Sequence, residues 1–271
     1  MPAAPVQIAI YGLEIVLYGA GLILLWRHVL RPGARGANRP APQLTAWEVS
    51  PTDFLVFLFA IAAGGILASG AIGLALSPFA LAPDTKTIVT SAAFQFGLLF
   101  GPAFLPLKLG HFPLCPPLTR ATVLSGLTTF LIALPLVTVV NLGWLGVLKL
   151  SGLPMDAQEL LRLVSDIRAP GLLLLFILIA CVIAPVSEEL LFRAILFRYL
   201  RTRLPRWAAI VLPAAIFATF HLNLLSFLPL FALAVVFSLA YERTGRIGTT
   251  MIAHGLFNLH TVVLLLSGAA Q

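Results

Sequence analysis

Eight apolar runs of about 20 residues divide this chain: 7–26, 54–79, 87–107, 122–148, 171–197, 207–222, 226–241 and 247–267. A helix needs about that length to cross a bilayer's hydrocarbon, and hydrocarbon tolerates only backbones that satisfy their own hydrogen bonds. The expected fold class is therefore all-α, a polytopic membrane bundle of about eight transmembrane helices. Composition agrees: of 271 residues 60% are hydrophobic and 10% charged, with a mean hydropathy of +1.02. Soluble chains carry about 25% charged residues, so a soluble globule is excluded. The formal charge of +7 does not point to nucleic acid, because the basic residues sit in short gaps between spans.

Those gaps alternate in charge. Arg27, Arg31, Arg35, Arg39, Lys108, Arg120, Arg198, Arg201, Arg203, Arg206, Arg243 and Arg246 all fall on one side. Lys86, Lys149, Arg162 and Arg168 fall on the other, where Asp84, Asp156, Glu159 and Asp166 balance them. By the positive-inside rule the first set is cytoplasmic and both termini are outside. Met1 to Gln7 has no positive n-region, so the first run reads as a retained span rather than a signal peptide. An Ala/Leu/Arg/Pro-rich composition suggests a bacterial protein, and with it the inner (plasma) membrane. The Pro/Gly/Arg stretch 31–43 is expected to be a disordered cytoplasmic loop. Residues 155–168 are expected to form an amphipathic helix on the outer interface. No internal or inverted repeat is seen, which weakens a transporter reading. Cys115 and Cys181 sit in unlike surroundings and imply no disulfide.

Ionisable groups at depth cost about 2.5–3.5 kcal/mol each on insertion scales and are functional by default. They are Glu14, Glu188, Glu189, Arg193, His221, His254 and His260, with Asn258 among them. Counting about 1.5 Å per residue from the cytoplasmic ends puts Glu188, His221 and Asn258 about 18–22 Å deep and His254 about 12 Å. One cavity can hold all four, with His254 about 8–10 Å off the level of Glu188 and His221 by the same roughly 1.5 Å rise. Glu188 and Glu189 point about 100° apart, so they cannot both face it. Arg193 stands four residues after Glu189 and is expected to neutralise it. Glu188 is left without a local partner and suits a general base or acid. The alternative is a protonated Glu188 that glues helices.

His221 follows Phe217 by one helical turn, which rests its ring on an aromatic face. His254 and Asn258, also one turn apart, can donate to one developing oxyanion. The bland alternative for Asn258 is an interhelical hydrogen bond, worth about 0.6 kcal/mol in membranes. His260 reads as structural, Glu14 has no evident partner, and the loop residues His28 and His111 join no constellation.

The ordered motifs Glu188-Glu189-x-x-x-Arg193, Phe217-x-x-x-His221 and His254-x-x-x-Asn258 resemble those of the CPBP family of intramembrane proteases, which includes the CAAX prenyl-protein endopeptidase and the bacterial Abi proteins. The resemblance covers roughly residues 120–268 and suggests N-terminal helices over 1–120 followed by a protease core over 121–271. It implies that Glu188 and His221 activate the attacking water and that His254 and Asn258 form the oxyanion site. Glu189 and Arg193 would support them. The expected function is an intramembrane endopeptidase acting on a membrane-anchored protein or peptide. No cofactor is expected. The metal alternative is zinc on Glu188, His221 and His254, although no HExxH is present. Two rival classes are a non-catalytic immunity or scaffold protein, which tolerates Glu188→Gln, and a proton-coupled carrier, which shows proton-linked flux.

The charge alternation makes a direct prediction. A topology reporter fused after Gln271 reads outside, and one inserted between Pro32 and Gln43 reads cytoplasm. The reverse pair of readings would overturn the eight-span reading.

Overall fold

The computed structural model describes residues 4–33, 44, 47–100, 118–153, 167 and 169–268. Eight helical segments account for almost all of them, with no strand among the described residues. Helix α1 is Ala4–Leu25, continued by a π-helical turn Trp26–Leu30. Then come α2 (Pro51–Ala75), α3 (Pro83–Phe100) and α4 (Arg120–Ser151). Helix α5 runs over Pro170–Arg201, followed by α6 (Arg206–Phe220), α7 (Leu224–Thr244) and α8 (Ile247–Leu266). All eight expected runs are helical over most of their described residues. Six are long and apolar enough to cross a membrane, whereas α6, with 15 residues, is shorter. The expected span 87–107 extends past the described end of α3. This is an integral membrane protein. The loop predicted at 31–43 lies, beyond Gly33, outside the described residues. So does the amphipathic helix predicted at 155–168, apart from Ile167.

Helix ends follow local chemistry. The Ser50 hydroxyl accepts from the Asp53 amide, with Pro51 at the first helical position of α2. Thr119 caps α4 and Asn223 caps α7 in the same way.

The 32-residue α4 is the central post, packing against α1, α7 and α8. Its Ser125 hydroxyl meets that of Thr249 on α8 at 2.7 Å. Helix α1 is tied to the post by Tyr18 Oη and Thr138 Oγ1, 2.7 Å apart. It is tied to α8 by a 2.8 Å hydrogen bond between His260 Nε2 and Glu14 Oε1. Glu14 therefore has a partner after all: the two residues are 246 apart in sequence, and only the packing of α1 beside α8 joins them.

At the end assigned to the cytoplasm, the buried Glu242 of α7 accepts from Arg201 Nε at 2.8 Å and from Arg206 at 2.6 Å. This clamps the α5–α6 corner to α7. Arg203 donates to the Val49 carbonyl at 2.6 Å and stacks over Tyr199, 3.8 Å from its ring centroid. Trp47, Phe54 and Tyr199 complete an aromatic seal between the start of α2 and the end of α5.

Helices α2 and α3 form a hairpin of unusually close approach. A Cβ on Gly97 would strike the Gly64 carbonyl, so only hydrogen fits there. Gly97→Val is expected to force the hairpin apart and cost about 1–3 kcal/mol in thermal unfolding of the detergent-solubilised protein. Gly143→Ala, at a glycine with open space around it, is expected to cost nothing measurable. Equal losses in both would contradict this packing.

Candidate active site

Helix α5 is not a uniform α-helix. It is π-helical at Ile179–Ile183 and again at Leu190–Phe197, on either side of Ala184–Glu189. π-Helical turns shift hydrogen bonding to i→i+5 and cluster at functional sites. Here one precedes and one follows the pair Glu188–Glu189.

Glu189 is wholly buried, and its Oε1 takes two donors. Arg193 Nη1 lies 2.7 Å away and His254 Nδ1 lies 2.9 Å away. The expected Glu189–Arg193 pairing is present, and the histidine is an addition to it. Arg193 also donates to the Ala234 carbonyl at 3.3 Å, and its guanidinium lies over the rings of Phe217 and Phe237, 4.9 and 5.4 Å from their centroids. The buried charge is thus met on every side. Glu189 Oε2 has no hydrogen-bond partner among the described residues.

His254 joins the two carboxylates. Because Glu189 is paired with Arg193 and accepts only, His254 Nδ1–H is the donor, and Nε2 is the free nitrogen. Nε2 faces Glu188 Oε2 at 3.9 Å, too far for a hydrogen bond and within ion-pair range. Glu188 keeps 19% of its side chain accessible, against 0% for Glu189 and 4% for His254. Of the three, it is the one that solvent or a ligand can reach.

The contact of His254 with Glu188 bears on the depth estimate. The estimated depth offset of His254 does not keep the side chains apart, since His254 Nε2 lies 3.9 Å from Glu188 Oε2. The two glutamates differ in exposure and share one neighbour. One imidazole, with nitrogens on two edges, reaches both.

Glu188 also has a partner that the motifs did not disclose. Gln95 Nε2 on α3 donates to Glu188 Oε1 at 3.3 Å, and Gln95 Oε1 accepts from the Ser187 hydroxyl. An amide inside an apolar run was the only available signal for Gln95.

The approach of α8 to α5 depends on Gly255, next to His254. A Cβ there would run into the Cys181 carbonyl in the first π-helical turn. One turn on, Asn258 Nδ2 donates to the neighbouring Ala180 carbonyl at 2.7 Å. That is the interhelical bond weighed above, and it leaves the second amide hydrogen of Asn258 for another acceptor.

His221 sits at the C-terminal cap of α6 and is exposed rather than buried at mid-span. Its Nδ1–H donates to the Phe217 carbonyl at 2.8 Å, so Nε2 carries the lone pair. The ring lies 4.8 Å from that of Phe217, and Phe217 in turn lies 6.0 Å from His254. Both imidazoles therefore flank one aromatic ring. Leu222, which follows, adopts φ 49°, the one non-glycine residue with positive φ among those described. For leucine that conformation costs about 1–3 kcal/mol. It turns the chain sharply between α6 and the Asn223 cap of α7.

Fold and site together define the class: a polytopic helical membrane protein with a buried carboxylate–histidine–arginine cluster. Residues 170–260 match the family described as Type II CAAX prenyl endopeptidase Rce1-like, and the resemblance to CAAX-type membrane proteases holds on that segment. The chain is 30% identical over 115 residues to "Putative membrane peptidase YdiL" of Bacillus subtilis (strain 168), covering 42% of this chain and 46% of that protein. It is 31% identical over 83 residues to "UPF0177 protein YbdI" of Lactococcus lactis subsp. lactis (strain IL1403), covering 30% and 44%. The chain thus spans less than half the length of these relatives. No solved structure matches it significantly. Helices α1 to α4 lie outside the family match, although α4 packs against α7 and α8.

The geometry separates the two adjacent glutamates by experiment. Glu189→Gln removes the charge that Arg193 and His254 share, and it is expected to destabilise the protein by about 3–5 kcal/mol. Thermal unfolding in detergent measures this. A variant as stable as the wild type would contradict the buried network.

Proposed function

We propose that this chain is an intramembrane endopeptidase that hydrolyses a peptide bond of a membrane-anchored protein or peptide. The observation that carries the reading is the His254 imidazole held between the buried Glu189 and the accessible Glu188, inside the segment similar to Rce1-like endopeptidases. In this reading Glu188 and the free Nε2 of His221 hold a water. Glu188 takes its proton as the oxygen attacks the scissile carbonyl. The tetrahedral oxyanion is met by the remaining amide hydrogen of Asn258 and by His254, which in its imidazolium form donates through Nε2 as well as Nδ1. With His254 charged, Glu188, Glu189, Arg193 and His254 sum to zero, a favourable total for a site in hydrocarbon. The proton held by Glu188 then passes to the leaving amine, and the bond to nitrogen breaks. Both termini lie outside in this reading, in the inner membrane of a bacterium.

Zinc is the alternative that the donor types raise. Among the described residues no three His, Cys, Asp or Glu side chains converge closely enough to hold a metal ion. With Nδ1 of His254 and of His221 bonded to Glu189 and Phe217, only their Nε2 atoms could face a metal.

Membranes of cells producing wild type and Glu188→Gln, compared for protein termini, are expected to differ in a small set of neo-termini that the variant forms roughly 10² to 10⁴ times more slowly, with its melting temperature unchanged. His254→Gln keeps a donor and is expected to retain a residual rate, down about 10²- to 10³-fold. Loss of all cleavage on chelation, restored by added zinc, would replace water activation by Glu188 with metal catalysis. Identical termini from wild type and Glu188→Gln would leave a scaffold or carrier.

A further inference from the structure

We infer that Gln95 is a positioning residue for Glu188, supplied by a helix outside the segment that matches the endopeptidase family. The inference rests on the reading of Glu188 as the group that activates water. Gln95 lies on α3, Pro83–Phe100, whereas the family match begins at residue 170. Its Nε2 donates to Glu188 Oε1 at 3.3 Å, and its Oε1 accepts from the Ser187 hydroxyl. Ser187 is buried, and its oxygen also lies 3.1 Å from the Ile183 carbonyl and 3.0 Å from that of Ala184. A hydroxyl carries one proton, so of these three acceptors it serves one at a time.

That arrangement suits a carboxyl group that gains and loses a proton in each turnover. While Glu188 is ionised it needs a donor, and the Gln95 amide N–H supplies it. When Glu188 carries the proton it needs an acceptor. Rotating the amide by half a turn presents Gln95 Oε1, while Ser187 turns its proton to the Ile183 or Ala184 carbonyl and accepts from Gln95 Nε2. Every group stays bonded in both states. A lysine could serve only the ionised form, since it has no acceptor. A leucine could serve neither, leaving His254 at 3.9 Å as the nearest basic side chain to Glu188 among the described residues.

The α2–α3 hairpin is what delivers the amide. Gly97, two residues beyond Gln95, is pressed against the Gly64 carbonyl, and α3 packs against α5 along Pro170–Glu189. The N-terminal helices thereby reach the site through one side chain.

The test uses the full-length protein in detergent and in cells. The infrared carboxyl band of Glu188 is identified as the one absent from Glu188→Gln. In Gln95→Leu this band is expected to shift, while the melting temperature shows the protein folded. Neo-termini that depend on Glu188 are expected to form roughly 10- to 100-fold more slowly, the range for losing a hydrogen bond to a charged group. Gln95→Leu added to Glu188→Gln is expected to lower the residual rate no further. Gln95→Asn, one methylene shorter, is expected to shift the band as Leu does, and Ser187→Ala to shift it less. If Gln95→Leu does not fold, the band in Ser187→Ala and Gln95→Asn decides. An unshifted band, or an unchanged rate beside an inactive Glu188→Gln, overturns the positioning role. A Glu188→Gln protein with wild-type cleavage overturns the water-activating role of Glu188, whatever the band does.

Discussion

A charge cannot be left alone in hydrocarbon, and the C-terminal half of this protein is organised around that constraint. Arg193 sits wholly inside the bundle. Its guanidinium is met by Glu189 on the same helix, by a backbone carbonyl of α7, and by the faces of Phe217 and Phe237 from α6 and α7. Glu189 passes the interaction on to His254 of α8. Four helices thus converge on one ion pair. Removing a partner from such a pair is far more damaging than replacing the whole set by apolar groups, because the survivor is left uncompensated. The same network fixes the tautomer of His254 and aims its second nitrogen at Glu188.

The backbone was adapted to let these side chains meet. Two π-helical stretches in α5 bracket the glutamates, and each departs from the i→i+4 pattern of an ordinary helix. At the first, α8 comes close enough that residue 255 must be glycine, and Asn258 bonds to the carbonyl beside that contact. The second separates the glutamates from the basic end of α5. Small residues at the contacts and a few hydrogen bonds between helices are the usual means of joining helices in lipid, where apolar side chains gain nothing from leaving one apolar medium for another. Here the same devices also set the geometry of the carboxylates.

Much of the fold could be read from the chain. The apolar runs marked every helix now seen, because hydrocarbon thickness sets their length. The pairing of Glu189 with Arg193 and the contact of His221 with Phe217 followed from helical spacing, since each lies within one turn. What could not be read were contacts between residues far apart in sequence: Gln95 with Glu188, His254 with Glu189, Glu14 with His260. Spacing carries no information about which helices become neighbours. Nor did the residue pattern of α5 announce its changes of helical period.

The division has a physical basis. By itself the sequence determined that the chain lives in a membrane, where its helices lie, and which ionisable groups are too costly to be accidental. Those are properties of the solvent and of local periodicity. Only the tertiary structure decided that His254 stands between the two glutamates, that Gln95 reaches Glu188 from outside the protease-like segment, and that His221 ends its helix at an exposed turn. Each depends on interhelical distances of a few ångströms, which are set jointly by glycine contacts, π-helical turns and the single arrangement that leaves the charge of Arg193 compensated.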